Sequence, residues 1–191
     1  PLNGYHRVFE KMLKNNNIKL LKGVDSKGIV KIKNNKIYYS NNEFKGKLIY
    51  TGEIDNFFNY EFGKLNYRSL KFKFKNIKSE YFQEAAQINY PNKYRFLRIT
   101  EFKHMTGQKS KVTTIAKDYP EDYIREGKEK NDPYYSVPKK ENIELYKKYE
   151  NRSRKLKNAI FLGRLAEYKY YNMDQVVKNA LESFQRIKDG K

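Results

Sequence analysis

The sequence predicts an α+β fold, an antiparallel β-sheet domain flanked by helices. Period-two alternation governs the middle of the chain, where Leu70, Phe72 and Phe74 alternate with Lys71, Lys73 and Lys75, giving one buried and one wet face. Helical spacing governs both ends. Tyr5, Val8, Phe9, Met12 and Leu13 form one apolar stripe, and Val176, Val177, Ala180, Leu181, Phe184 and Ile187 another. A length of 191 residues is enough for one large domain or two small ones with a buried core.

Taken in order, the first helix stops at Asn15-Asn16-Asn17, and Ile18 to Leu21 reads as a short strand. Gly28 to Ile32 and Lys36 to Tyr39 read as a hairpin around Asn34-Asn35. Leu48 to Tyr50 is an apolar strand that ends at Thr51-Gly52, where a glycine lets backbone approach closely or turn sharply. From Tyr67 the strand pattern recurs at Ala85 to Tyr90, Tyr94 to Glu101 and Val112 to Ala116, giving a sheet of about four to six strands. Along Leu97 to His104, alternation sets Arg98, Thr100 and Phe102 on the face opposite Ile99 and Glu101. Residues 117 to 138, with Pro120, Pro133 and Pro138, read as a long connection. A charged helix over Glu141 to Leu156 turns Ile143, Leu145, Tyr146 and Tyr149 inward; Ala159 to Leu162 is a buried strand; Asp174 caps the last helix.

Composition excludes several chemistries. With no Cys there is no disulfide framework, thiolate metal site or thiol nucleophile. The two histidines, His6 and His104, are too far apart in sequence to suggest a metal site, and His104 at a strand end reads as structural. No G-x-G-x-x-G or P-loop occurs. No apolar run approaches the ~18 residues of a membrane span, and no signal-peptide pattern opens the chain. A Pro at position 1 in place of an initiating Met points to a longer parent chain. The 41 Lys+Arg against 22 Asp+Glu give a net charge of +19. With 18 Tyr and 12 Phe this keeps open a basic, aromatic-rich sheet protein that binds RNA or single-stranded DNA. The lysines are dispersed, as at Lys31, Lys33, Lys36, Lys45 and Lys47, so that binding would be weak and lost with salt. A missing acidic half would explain the charge equally well.

Several runs recur in one order: Pro1-Leu2-Asn3-Gly4-Tyr5, Thr51-Gly52-Glu53-Ile54-Asp55, Phe62 to Leu70 with Tyr67-Arg68-Ser69, and Asn89-Tyr90. They continue with Arg98-Ile99-Thr100-Glu101-Phe102-Lys103-His104, Tyr134-Tyr135, and Gly163-Arg164-Leu165-Ala166 through Tyr168, Tyr170, Met173 and Asp174. Together they resemble the UDP-galactopyranose mutase family over nearly the whole chain. The resemblance is to the C-terminal half alone; the family's N-terminal flavin-binding glycine loop and uridine-binding lobe have no counterpart here. It implies that residues 1–66 and 139–191 are returning parts of an α/β FAD-binding domain and that 67–138 are the antiparallel substrate domain.

The family interconverts UDP-galactopyranose and UDP-galactofuranose in galactofuranose and polysaccharide biosynthesis. Its reduced FAD attacks the anomeric carbon through N5, UDP leaves, and the sugar ring opens on the adduct and recloses. A cofactor that carries the covalent step explains a chain without a conventional nucleophile. The resemblance implies that Arg98, Tyr135 and Tyr170 bind the diphosphate, that Asn89 lies near sugar and flavin, and that Arg68 is a further substrate-binding arginine. It implies that Thr51, Gly52, Gly163, Arg164, Asn172, Met173 and Asp174 bind the cofactor. No metal is implied, and no catalytic group beyond the flavin and Arg98. Two positions depart from the pattern: Asn172 stands where Asp is common, and Glu53 replaces the Pro of the T-G-P-I-D turn. The implied partners are UDP-galactose, the N-terminal half of the same enzyme and a second copy in a homodimer, in the cytoplasm, with no membrane; nucleic acid is a partner only in the alternative reading. The chain alone is expected to be inactive.

Overall fold

The structure, a computed structural model, describes residues 4–91 and 93–190. Pro1-Leu2-Asn3, which open the first of the recurring runs, lie outside the described residues. The elements run α1 (Gly4–Met12), α2 (Ser26–Ile29), β1 (Val30–Lys33), β2 (Lys36–Tyr39), β3 (Asn42–Glu43), β4 (Leu48–Tyr50), α3 (Ile54–Phe57) and β5 (Tyr67–Ile77). They continue with β6 (Gln87–Asn89), β7 (Arg98–Glu101), α4 (Lys103–Thr106), β8 (Thr113–Asp122), β9 (Tyr135–Ser136), α5 (Lys140–Ser153), β10 (Ala159–Phe161) and α6 (Met173–Lys188). The mixture of helices and antiparallel sheet is α+β, as expected. The chain divides into two compact units. The first is the segment up to Gly23 with Leu70–Asp122; the second is Val24–Ser69 with the chain from Tyr123 on. Strand β5 belongs to both, its first three residues to the second unit.

In the first unit the strands are ordered β6-β7-β8-β5. The alternation of β5 is directional as expected. Lys71 pairs with Glu121 at 3.6 Å and Lys73 lies over the Tyr119 ring at 5.0 Å on one face. On the other, Thr114 donates to Asn76 at 2.7 Å. The expected buried face does not form along its length: Leu70 is buried, but Phe72 and Phe74 are 37% and 66% exposed. A pleat decides where a side chain points, whereas burial needs a second layer, and Phe74 has the Phe102 ring stacked on it at 6.2 Å. Strand β8 runs to Asp122, well beyond the expected end at Ala116. Pro120 is tolerated because the β7 pairing reaches only Asp118; past that point β8 has an open side, where a missing N–H breaks no ladder. Ile18 to Leu21 form no strand; they are exposed, an apolar run without a pairing partner.

The run after Arg98 stitches this sheet. The fully buried Glu101 carboxylate accepts the N–H groups of Phe82 and Gln83, each at 3.0 Å, and the Thr113 hydroxyl at 2.6 Å. Lys103, also buried, donates to the carbonyls of Glu80 and Ser110. His104 Nε2 sits 2.8 Å from the Gln83 carbonyl and 3.4 Å from Glu101. Burial by itself would push the Glu101 carboxyl up; the Thr113 hydroxyl, the two backbone donors and His104 outweigh it and hold it below its ordinary 4.5. A carboxyl depressed on folding contributes stability above its unfolded pKa, which is lost as pH falls through the folded value. Glu101→Gln is therefore expected to destabilise at neutral pH and to converge on the parent protein in acid. Melting curves between pH 7 and 3 check this, and a deficit that stays constant into acid would discard the carboxylate as its source.

The second unit holds a three-stranded sheet in the order β1-β2-β3 and a two-stranded parallel pair, β4 with β10. The β1–β2 hairpin forms where expected. Asn34 and Asn35 take φ 51° and 58°, the left-handed pair whose twist suits a two-residue turn. Gly28 belongs to the single turn of α2, which Asp25 caps through the Lys27 N–H at 3.0 Å. The core gathers Ile54, Phe58, Leu65, Tyr67, Tyr149, Leu156 and Tyr168. Its tyrosines bring hydroxyls that are satisfied in place: Tyr149 donates to the Gly63 carbonyl at 2.6 Å and accepts the Phe62 N–H at 3.1 Å. On α5, Tyr149 is buried as expected, but Ile143 is 40% exposed and Asn142 takes the inner place. Asn142 donates to the Val137 carbonyl and accepts from Asn66, and those two bonds set the rotation of the helix. The cap of α6 is Asn172, two residues before the expected Asp174. The Asn172 side chain takes the third N–H of the helix, and Gln175 returns to the Asn172 N–H at 2.8 Å.

Candidate functional site

The sequence-predicted residues divide between the units. Arg98 and Asn89 lie in the first, and the others in the second.

In the second unit the parallel pair sets the frame. Phe161 is in register with Tyr50, and the Leu162 N–H donates to the Tyr50 carbonyl at 3.0 Å. Thr51-Gly52 and Gly163-Arg164 therefore leave the same, carboxyl-terminal, edge of adjacent parallel strands, the edge where open parallel sheets present ligands. Gly52 has a local reason to be glycine: a Cβ there would lie 2.7 Å from the Tyr50 hydroxyl, which folds over the turn toward the Glu53 carbonyl. Gly163 has φ 94° and open space where a side chain would stand. Its N–H is taken by the Glu167 carboxylate at 2.7 Å.

Beyond this edge the predicted side chains gather. Arg68 and Tyr135 are Cα partners across the antiparallel β5–β9 pair and so share a face. The Tyr135 and Tyr170 rings lie 5.8 Å apart. The Arg164 guanidinium sits 4.8 Å from the Tyr170 ring centre and 6.0 Å from that of Tyr135, with its Nε donating to the Tyr171 carbonyl at 2.6 Å. One arginine packed on two phenols, with a second arginine in register with one of them, is a set rich in hydrogen-bond donors. Such a set suits a diphosphate or a phosphorylated cofactor arm. Asn172, Met173 and Asp174 form the cap and first turn of α6; Asn172 spends its side chain on the cap, and Met173 is 63% exposed.

In the first unit Asn89, Arg98 and Asp118 are successive Cα partners across β6, β7 and β8. Arg98 is ion-paired to Asp118, whose side chain is 3% exposed against 31% for the arginine.

Two features were not legible as sites. One is Asp118. The other is a buried charge cluster beneath the Thr51-Gly52 turn. Arg125 Nη2 donates to Asp55 at 3.1 Å and to the Leu65 carbonyl, and its Nε is 3.4 Å from Glu53. Tyr123 donates to Glu53 at 2.7 Å and its ring lies under the guanidinium at 4.7 Å; Leu65 N–H donates to Asp55 at 2.8 Å. Burial pushes both carboxyls up, and the hydrogen bonds and Arg125 offset this only in part. A cleft of about 340 Å³ in the same unit is lined by Lys27, Lys31, Tyr50, Phe57 and Arg152 among others, and by none of the predicted site residues. Arg152 there is engaged by Glu61 and Asn35. Among the described residues no helix is long and apolar enough to cross a membrane, and no three His, Cys, Asp or Glu side chains group as a metal would require.

Fold and side-chain set define an α+β chain with a tyrosine-and-arginine cluster at a parallel-strand edge. A family model described as UDP-galactopyranose mutase matches residues 1–170, and the chain belongs to that family. It is 33% identical over 189 residues to a UDP-galactopyranose mutase of Mycoplasma genitalium, covering 98% of this chain and 46% of the relative. It is 30% identical over 190 residues to the UDP-galactopyranose mutase of Mycoplasma pneumoniae, covering 98% and 47%. It is also 30% identical over 189 residues to a dTDP-fucopyranose mutase of Escherichia coli, covering 97% and 47%. The chain thus spans about half the length of the curated relatives it matches.

Proposed function

We propose that this chain is the C-terminal part of a flavin-dependent UDP-galactopyranose mutase, and that it is inactive without the remainder. The observation that supports the reading is the cluster of Arg68, Tyr135, Tyr170 and Arg164, in which residues distant in sequence are brought together. In this reading residues 1–66 and 139–191 contribute to the FAD-binding domain and 67–138 to the substrate domain. The residues present fit FAD in two respects: Gly163 opens onto free space at the strand edge, and Arg164 is fixed beside it by the Tyr171 carbonyl. Thr51, Gly52, Gly163, Arg164 and the start of α6 would hold the cofactor. Reduced FAD, when bound, would supply the N5 nucleophile for the anomeric carbon.

The protein's own work is to bind, orient and neutralise. Tyr135 and Tyr170 donate hydroxyl hydrogen bonds to the UDP diphosphate, and Arg68 adds charge beside them. Arg98 is assigned to the diphosphate by the family resemblance, and its guanidinium suits that role because it can hold phosphate oxygens while negative charge grows on departing UDP. Asn89, its register partner, is assigned to the sugar. The N-terminal part of the longer protein is proposed as the partner that covers α6, whose Met173, Val177, Leu181 and Phe184 form a stripe 59–65% exposed. A cytoplasmic homodimer belongs to the reading through the family resemblance alone.

The test compares the longer protein with this chain. The longer protein is expected to purify yellow and, after chemical reduction, to convert UDP-galactofuranose to UDP-galactopyranose; this chain alone should do neither. A dTDP-fucopyranose assay in parallel decides the nucleotide sugar. A longer protein that holds no flavin, or that isomerises neither sugar, would overturn the proposal.

A further inference from the structure

We infer that Asp118 is the positioning residue for Arg98 and sets how that arginine meets a diphosphate, an inference that rests on the mutase reading above. A single carboxylate oxygen, Oδ2, receives both Arg98 Nε at 2.7 Å and Nη2 at 2.5 Å. Two bonds from one edge of a planar fork to one point fix the plane of the guanidinium as well as its position. The anchor itself is rigid. Asp118 lies within β8, in register with Arg98 on β7, and its carbonyl accepts the Leu97 N–H at 2.8 Å. Asn89 completes the row on the far side of Arg98, so the pair stands beside the residue assigned to the sugar.

Burial distinguishes this pair from an incidental surface bridge. The aspartate is nearly enclosed while the arginine remains partly open. An enclosed carboxylate is costly to desolvate, and a pair of apolar residues would serve stability as well or better. What the carboxylate adds is orientation and a local counter-charge. Offsetting part of the charge of Arg98 weakens its hold on the diphosphate of the resting substrate. Orientation preserves its hold on the more negative diphosphate of departing UDP. Interactions stronger in the transition state than in the ground state are the ones that accelerate a reaction.

The experiment uses the longer, flavin-loaded protein, with kcat, KM and the affinity for UDP as readouts. Asp118→Asn keeps the shape and removes the counter-charge. It is expected to lower kcat about 10- to 100-fold, the range of one charged hydrogen bond, while UDP binds more tightly, by about three- to tenfold. Asp118→Glu keeps the charge but moves it by one methylene, and should lower kcat with UDP affinity near the parent value. It serves as the second variant should the first not fold. In an Arg98→Ala background, Asp118→Asn should slow turnover no further. Equal losses of turnover and UDP affinity would reduce Asp118 to a structural role, and a gain in both would make it a competitor of the substrate; either result overturns the inference. So does an undiminished effect of Asp118→Asn once Arg98 is gone. Failure of the mutase reading shows separately, in a parent protein that neither binds UDP nor turns over, and the inference then falls with it.

Discussion

Arg125→Ala is expected to cost about 3–5 kcal/mol of stability, the range for breaking a buried ion pair by removing one partner. Arg125 is the cation beside two enclosed carboxyls, Glu53 at 9% and Asp55 at 0% side-chain exposure, and it also donates to the Leu65 carbonyl. Without it Asp55 keeps the Leu65 N–H and Glu53 keeps the Tyr123 hydroxyl, but neither keeps a counter-charge. The loss should depend on pH with a defined sign. Both carboxyls are raised on folding, first by burial. The native state therefore holds more protons than the unfolded chain in the window between the ordinary carboxyl values and the raised ones, and stability falls as pH climbs through it. Removing Arg125 raises both further, so the deficit should be larger at pH 7.5 than at pH 4.5. Glu53→Gln should be near neutral at pH 7, because a neutral acceptor still serves Tyr123 and leaves Arg125 to Asp55. Urea unfolding at the two pH values measures all of this. A deficit below about 1 kcal/mol, typical of an exposed pair, or one equal at both pH values, would show that the cluster is not the buried ionic system described.

What the sequence made legible and what it hid follow the range of the interactions involved. The Asn34-Asn35 hairpin and the direction of the β5 alternation were legible, because turn chemistry and pleat are local. The Arg98 to His104 run was legible as a motif, yet its members part company. Arg98 faces the Asn89 and Asp118 row, while Glu101, Lys103 and His104 tie down the 80–83 segment and the Ser110 carbonyl. Asp118 was hidden by Pro120, which made a strand end at Ala116 look natural, six residues before the strand ends at Asp122. Arg125 was hidden by distance: Asp55 stands 70 residues before it, and a lone arginine in a polar stretch carries no periodic signal. The parallel pairing of β4 with β10 brings the two glycine turns together, but each strand is three residues long and 108 residues separate the end of one from the start of the other. Only the family resemblance, with its fixed order of motifs, implied that Gly52 and Gly163 belong together.

Arg98→Ala and Arg164→Ala are expected to fail in different ways in the longer protein. The motive is their surroundings. Arg98 is held on the sheet of the first unit by an aspartate, with Asn89 in register beside it. Arg164 is held at the end of a parallel strand, next to Gly163 and the open space that Gly163 faces. Removing the proposed diphosphate clamp should cost about 2–4 kcal/mol of transition-state stabilisation, or roughly 30- to 1000-fold in turnover, with flavin content unchanged. Arg98→Lys should recover only part of this, because an ammonium is a point charge and cannot reproduce the two bonds to Asp118 or the fork presented to phosphate. Arg164→Ala should instead lower the flavin that survives purification, and added FAD should restore part of the rate. Absorbance gives the flavin content, and kcat and KM with chemically reduced enzyme give the rest. Wild-type kinetics in Arg98→Ala, or flavin loss in that variant with Arg164→Ala still fully yellow, would mean that the two arginines do not hold the roles assigned to them.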